Sequence, residues 1–134
     1  MVRWTLRILG ALAALTVLVF GSQMLASESG EVVVLRTRDA GGAVHETRLW
    51  VVEHEGRPWL RAGNAGTGWL VRLQAQPEVE VVRGGEALAL RAVPVPEARD
   101  RINELMNEKY GLADDYVCFF FPREAKIPVR LDPR

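Results

Sequence analysis

The stretch from Glu78 to Val95, "EVEVVRGGEALALRAVPV", constrains the fold more than any other part of the chain. Val79 and Val81 alternate with Glu78 and Glu80, so one face of an extended segment is apolar and the other charged. "RGGE" (Arg83 to Glu86) is a tight hairpin signal, and "ALALRAVPV" returns as a second strand. A lone hairpin is marginal in water and needs further strands or a helix to cover its apolar face. The chain supplies both. "EVVVLRTR" (Glu31 to Arg38) is β-branched and ends at the turn "DAGG". "AVHETRLWVVEH" (Ala43 to His54) reads as one longer strand, which "EG" turns into a third, "RPWLRAG". Short turns make these three an antiparallel meander. "KIPVRL" (Lys126 to Leu131) closes the domain, with Ile127, Val129 and Leu131 on one face.

Helical periodicity is confined to short pieces. Trp69, Leu70 and Leu73 form one face of a helix over about 66–75, with Thr67 or Asn64 as its cap and Pro77 as its stop. Pro96 suits a first helical turn. Ala98, Ile102, Leu105, Met106 and Tyr110 follow at amphipathic spacing, and Gly111 is a natural end. "LADDYVCFFFPR" reads as a short helix or turn rich in aromatics. The expected domain is mainly β (α+β): a small, partly open, six-stranded barrel whose gaps are filled by two or three short helices.

The N-terminus has a different character. Arg3 and Arg7 precede "ILGALAALTVLVF", and no charge follows until Glu28. The length lies between a signal-peptide core of roughly 7–15 residues and a membrane span of about 20. Met24 stands where signal cleavage after Ala26 wants a small residue. The expectation is therefore an uncleaved anchor over 1–27 and a barrel domain over 28–134, with a cleaved signal and a secreted domain as the alternative. Arg3 and Arg7 place the N-terminus in the cytoplasm, and the domain outside it, in the periplasm.

Composition removes several function classes. Seventeen basic residues balance seventeen acidic ones among 134, so the basic excess of a nucleic-acid binder is missing. Cys118 is the only cysteine and lies in apolar "YVCFFFP", which favours a buried, inert thiol and excludes an internal disulfide. His45 and His54 have no metal-ligand spacing, so no metal is expected. Asp114 and Asp115 are adjacent and diverge, which reads as a solvated turn. The sequence contains no nucleophile triad, P-loop or dinucleotide fingerprint.

One stretch remains with chemical character, "RAGNAGTGWLVR" (Arg61 to Arg72). Backbone N–H groups of a glycine-rich loop at a helix N-terminus attract phosphate. Gly63, Asn64, Gly66, Thr67 and Gly68 fit that role, with Arg61 and Arg72 as charged partners and Trp69 beside them. The competing reading is a plain turn beside a core tryptophan. Arg48 and Trp50 share a strand face, either lining a groove or forming a cross-strand pair and a core aromatic.

The order of these units is similar to that of the split β-barrel proteins of the pyridoxamine-phosphate-oxidase type. It resembles most the deazaflavin-dependent nitroreductase-like branch. The residues that carry the resemblance are "RLWVVEHEGRPWLRAG", the unit with Trp69, Leu73, Pro77, Val79 and Val81, and the helix ending in Lys109, Tyr110 and Gly111. It spans about residues 32–131. The resemblance implies an oxidoreductase using FMN or a deazaflavin coenzyme, which itself carries the hydride or electrons. It also implies a homodimer. The cofactor-binding residues would be Arg48, Trp50, Arg61, Gly63, Asn64, Thr67, Gly68, Trp69 and Arg72, with no protein group as acid or base. The alternative is a non-catalytic binding or interaction module on the same fold.

Overall fold

The computed structural model describes the backbone of residues 2–28 and 30–134, and side chains over 2–17 and 30–134. The N-terminal segment forms a single helix, α1 (Val2–Glu28). The expected span ran from about Trp4 to Ala26, and the side chains of its second half lie outside the described residues. Among the described residues no helix is long and apolar enough to cross a membrane, so the structure does not support the anchor expected from the uncharged run.

Seven strands follow: β1 (Val32–Arg38), β2 (Val44–Trp50), β3 (Val52–His54), β4 (Arg57–Ala62), β5 (Glu78–Arg83), β6 (Glu86–Pro94) and β7 (Ile127–Pro133). They form one sheet in the order β2-β1-β5-β6-β7-β4-β3, antiparallel throughout. The outermost members, β2 and β3, are consecutive in the chain and separated only by Val51. The sheet therefore curls until both of its edges belong to one stretch of chain, which is the geometry of a split barrel.

Six strands were expected, and the seventh arises where the long strand Ala43–His54 breaks. At Val51 the backbone leaves both ladders, and side chains from α3 (Arg99–Tyr110) take over its hydrogen bonds. The Val51 N–H donates to the Tyr110 hydroxyl at 3.0 Å, and the Lys109 ammonium donates to the Val51 carbonyl at 2.7 Å. The Tyr110 hydroxyl sends its own proton to the Glu31 carbonyl at 2.6 Å. Trp50 stacks on the Tyr110 ring, centroids 4.4 Å apart and planes within 10°. Gly30 passes so close that a Cβ there would lie 2.9 Å from this ring, and its φ of +77° suits glycine.

Two hydrophobic clusters result. Inside the barrel, Val33, Leu35, Val51, Leu60, Val79, Val81, Val129 and Leu131 meet Leu70 and Leu73 of α2 (Gly68–Ala75). Outside it, Val52 and Trp59 meet Ile102, Met106 and Tyr110 of α3. Val51 and Val52 thus belong to different clusters, because successive side chains of a strand point to opposite faces and both faces are covered here. A 3-10 turn at Pro96–Ala98 leads into α3, and α4 (Leu112–Phe120) follows after Gly111.

Candidate functional site

Arg61 and Trp59 stand on the outer face of β4, while Leu60 and Ala62 point into the barrel. Arg61 thereby faces α3 and α4. Its Nη2 donates to Asp114 Oδ1 at 2.5 Å, and Nη1 donates to Asn103 Oδ1 at 3.2 Å. The Arg61 side chain is 5% exposed and that of Asp114 is 0% exposed. Asn107 and Arg123 each donate to Asp114 Oδ2 at 3.2 Å. Burial pushes the Asp114 carboxyl up, but Arg61, Asn107 and Arg123 outweigh it and hold the group below the ordinary aspartate range. The solvated turn expected for Asp114 is thus corrected: the residue is the buried anion that ties both helices to the barrel. Asp115 is the exposed one of the two. Cys118 is buried, and burial pushes its thiol up, away from nucleophilic character.

Beside this pair lies a cavity of about 210 Å³. Arg48, Leu49 and Trp50 of β2 line it with Arg61, Met106 of α3, Val117 of α4 and Lys126. Lys126 is 4% exposed. Its ammonium lies 5.8 Å from the Phe121 ring centre, and burial followed by the charge of Arg61 pulls its pKa down. The cavity thus has flat apolar walls and a cationic side. A larger open groove of about 750 Å³ lies elsewhere, among Arg36, Arg38, Arg91, Arg134, Glu78 and Glu80. That groove is a surface of mixed charge with Arg36 already paired to Glu80, so the smaller cavity, with its aromatic and apolar walls and its buried lysine, is the stronger candidate.

The nine residues singled out from sequence fall into four places. Arg48, Trp50 and Arg61 line the cavity. Gly63, Asn64 and Thr67 form a self-bonded loop in which the Asn64 N–H donates to Thr67 Oγ1 and the Gly66 N–H to Asn64 Oδ1. Trp69 is 5% exposed and belongs to the barrel interior, so it is a core residue and offers no wall to a ligand. Arg72 folds back over Gly68, and its Nε donates to Thr37 Oγ1 at 2.8 Å. Arg61 and Arg72 therefore do not converge on the loop: one serves the outer face of β4 and the other the end of β1.

Sequence reasoning missed Lys126, Asn103 and the role of Asp114. Lys126 precedes an alternating strand and carries no local signal, and Asp114 finds Arg61 fifty-three positions away. Among the described residues no group of three or more His, Cys, Asp or Glu is placed to hold a metal ion.

The curled antiparallel sheet and its helix cover form a split-barrel fold, shared with a "Putative Pyridoxamine 5'-phosphate oxidase" from Listeria innocua at 13% identity over 85% of this chain and 92% of that one, with a TM-score of 0.59. Residues 19–132 match the F420H(2)-dependent quinone reductase family, and the chain belongs to it. Among solved structures, the conserved hypothetical protein Rv2991 from Mycobacterium tuberculosis is 23% identical, covering 79% of this chain and 74% of that one, with a TM-score of 0.62. An F420-H2 dependent reductase is also 23% identical, covering 75% of this chain and 93% of that one, at a TM-score of 0.59. A protein described as a domain-swapped dimer is 22% identical over 75% of this chain and 79% of that one, again at 0.59. A search of curated protein sequences finds no match.

Proposed function

We propose that the chain is a deazaflavin-dependent oxidoreductase that reduces a quinone-type acceptor at the cavity beside Trp50. Family membership supports the chemistry. The observation that carries the placement is Lys126, a largely buried cation on a cavity it lines together with Arg48 and Arg61 and with the apolar Val32, Leu49, Trp50, Met106 and Val117. This donor set fits the flat, oxygen-bearing ring of a deazaflavin or of its acceptor. At about 210 Å³ the cavity is smaller than the roughly 300–1,000 Å³ of pockets that take a whole ligand, so an anionic tail would lie outside it.

When bound, the reduced coenzyme supplies the hydride. The chain's own residues do the rest. Trp50, held against Tyr110, and Met106 and Val117 keep water from the ring. Lys126 and Arg61 set a positive field where negative charge develops on an acceptor oxygen. No side chain is required as acid or base.

The loop before α2 supports a place for the tail. Gly63, Gly66 and Gly68 all lack the left-handed φ that demands glycine, and an added Cβ would meet nothing closer than 3.3 Å at any of them. Their bareness therefore serves no backbone need. It leaves room for a ligand to approach the main chain closely.

A homodimer is part of the proposal, supported by the exposed aromatic face of α4 and by the dimeric neighbour. Arg3 and Arg7 ahead of the uncharged run support a location outside the cytoplasm, which fractionation and the mass of the mature chain test.

The deciding experiment is titration of the purified chain with F420 and, separately, with FMN, followed by absorbance and fluorescence. Tight binding of F420, weakened by Trp50→Ala, upholds the reading. A chain that binds neither is the non-catalytic module on the same fold.

A further inference from the structure

We propose that the cavity beside Trp50 seats a planar aromatic ring through an ionised ring oxygen, with the Lys126 ammonium as its counter-charge. The identity of the ring rests on the reductase reading, but the site itself rests on geometry. Lys126 is 96% buried by residue surface, the complement of its 4% exposure. Among the described residues its ammonium has no hydrogen-bond or ion-pair partner, only the ring of Phe121 at 5.8 Å. Among the described residues no fully sealed side-chain nitrogen or oxygen lacks a partner, so the unpartnered Lys126 ammonium keeps some open surface, and Lys126 lines the cavity. The nearby anion, Asp114, is already committed to Arg61, Asn107 and Arg123.

A buried ammonium without an anion is costly, and a protein tolerates one chiefly where a ligand completes it. The rest of the wall states what the ligand is. Trp50 is flat, held by its stack on Tyr110, Leu49, Met106 and Val117 are apolar, and Arg48 and Arg61 add further positive charge. A simple inorganic anion would leave these surfaces uncovered, and a neutral aromatic would leave the ammonium unpaired. A ring bearing a phenolate or enolate oxygen satisfies both. Two sources offer that chemistry: the ionised hydroxyl of a deazaflavin ring, or a hydroxyquinone acceptor.

The test uses the full chain without coenzyme or turnover. Binding of 2-hydroxy-1,4-naphthoquinone, its 2-methoxy ether and a hydroxylated deazaflavin lacking the phosphate tail is followed by tryptophan fluorescence. At least one hydroxylated ring should bind about tenfold or more tightly than the ether, the scale of one charge-assisted hydrogen bond. Which of the two does so identifies the source. Lys126→Met should erase the preference, and Lys126→Arg should restore most of it. Lys126→Met should also melt no lower than the parent, because it removes an unpaired buried charge. Equal affinity for the hydroxyquinone, the deazaflavin ring and the ether overturns the proposal, as does a Lys126→Met chain that keeps the preference. The ether comparison needs no variant, so it decides even where a variant fails to fold. A chain that takes the hydroxyquinone through Lys126 but never binds F420 keeps this site and loses the reductase reading. F420-dependent turnover indifferent to Lys126 does the reverse.

Discussion

At the scale of single residues, the Arg61–Asp114 pair governs both stability and the shape of the cavity. Both groups are almost fully removed from water, so removing one strands the other. Asp114→Asn should cost about 3–5 kcal/mol in urea unfolding, the usual penalty for breaking a buried pair. Replacing both with leucine should recover much of that loss. The loop residues separate differently. Gly68→Val brings a Cβ to 3.3 Å from the Arg72 guanidinium, which Thr37 holds, so a small loss of stability should accompany it, and it should abolish F420 binding if a tail lies there. Arg72→Ala is a poorer probe. It removes the partner of Thr37, which is 1% exposed, so about 1–3 kcal/mol of stability should be lost whether or not a ligand binds. Parallel binding titrations and melting curves distinguish the two variants.

At the scale of elements, the break at Val51 is the decisive feature. Tyr110→Phe keeps the stack on Trp50 but leaves the buried Val51 N–H without its acceptor, so unfolding should become easier by about 1–3 kcal/mol in urea. The adjoining ion cluster adds a pH dependence. Hydrogen bonds from Arg83 and Lys109 lower the Glu31 carboxyl from 4.5 to about 2. The folded form thus holds this proton more weakly than the unfolded chain does. The contribution is complete above the unfolded value and disappears as pH falls through the folded one. Urea midpoints measured between pH 5 and about pH 2 should decline less steeply for Glu31→Gln than for the parent.

The strands and helices themselves were readable from sequence because alternation and helical spacing are local signals. Val79 and Val81 are buried as their pattern requires, and Ile102, Met106 and Tyr110 share the covered face of α3. The break at Val51 was not readable. Its cause lies in Tyr110 and Lys109, more than fifty residues away, and nothing in "RLWVVEH" announces it. The site divided in the same way. Arg48 and Trp50 were picked out together by strand spacing and both line the cavity, Arg61 was named for the glycine loop and lies at the cavity instead, and Lys126 and Asp114 acquire their character only from what the fold packs around them.

At the scale of the whole molecule, α4 is the exposed apolar feature of the barrel domain. Leu112 is 85% exposed and Phe119 83%, and Phe120 and Phe121 lie in the open beside them. Helix α1 lies against the same element. A surface of this kind on a small domain marks a partner. The full chain should sediment as a dimer, and Leu112→Ser with Phe119→Ser should shift it to monomer without lowering F420 affinity per chain. A parent chain that sediments as a monomer at high concentration removes the dimer from the proposal.

The neighbours Val51 and Val52 have a consequence for how the molecule breathes. One peptide bond joins a side chain at the centre of the barrel to a side chain under α3. Lifting α3 withdraws Tyr110 and Lys109 from that peptide, and with them the bonds that hold the meeting point of the sheet's two edges. Helix cover and barrel closure should therefore open as one cooperative unit. The cavity beside Trp50 borders that unit, because Met106 lies on the helix that lifts. A ligand seated there would tighten the barrel seam from outside, so occupancy of the cavity and slow amide exchange at Val51 should rise together.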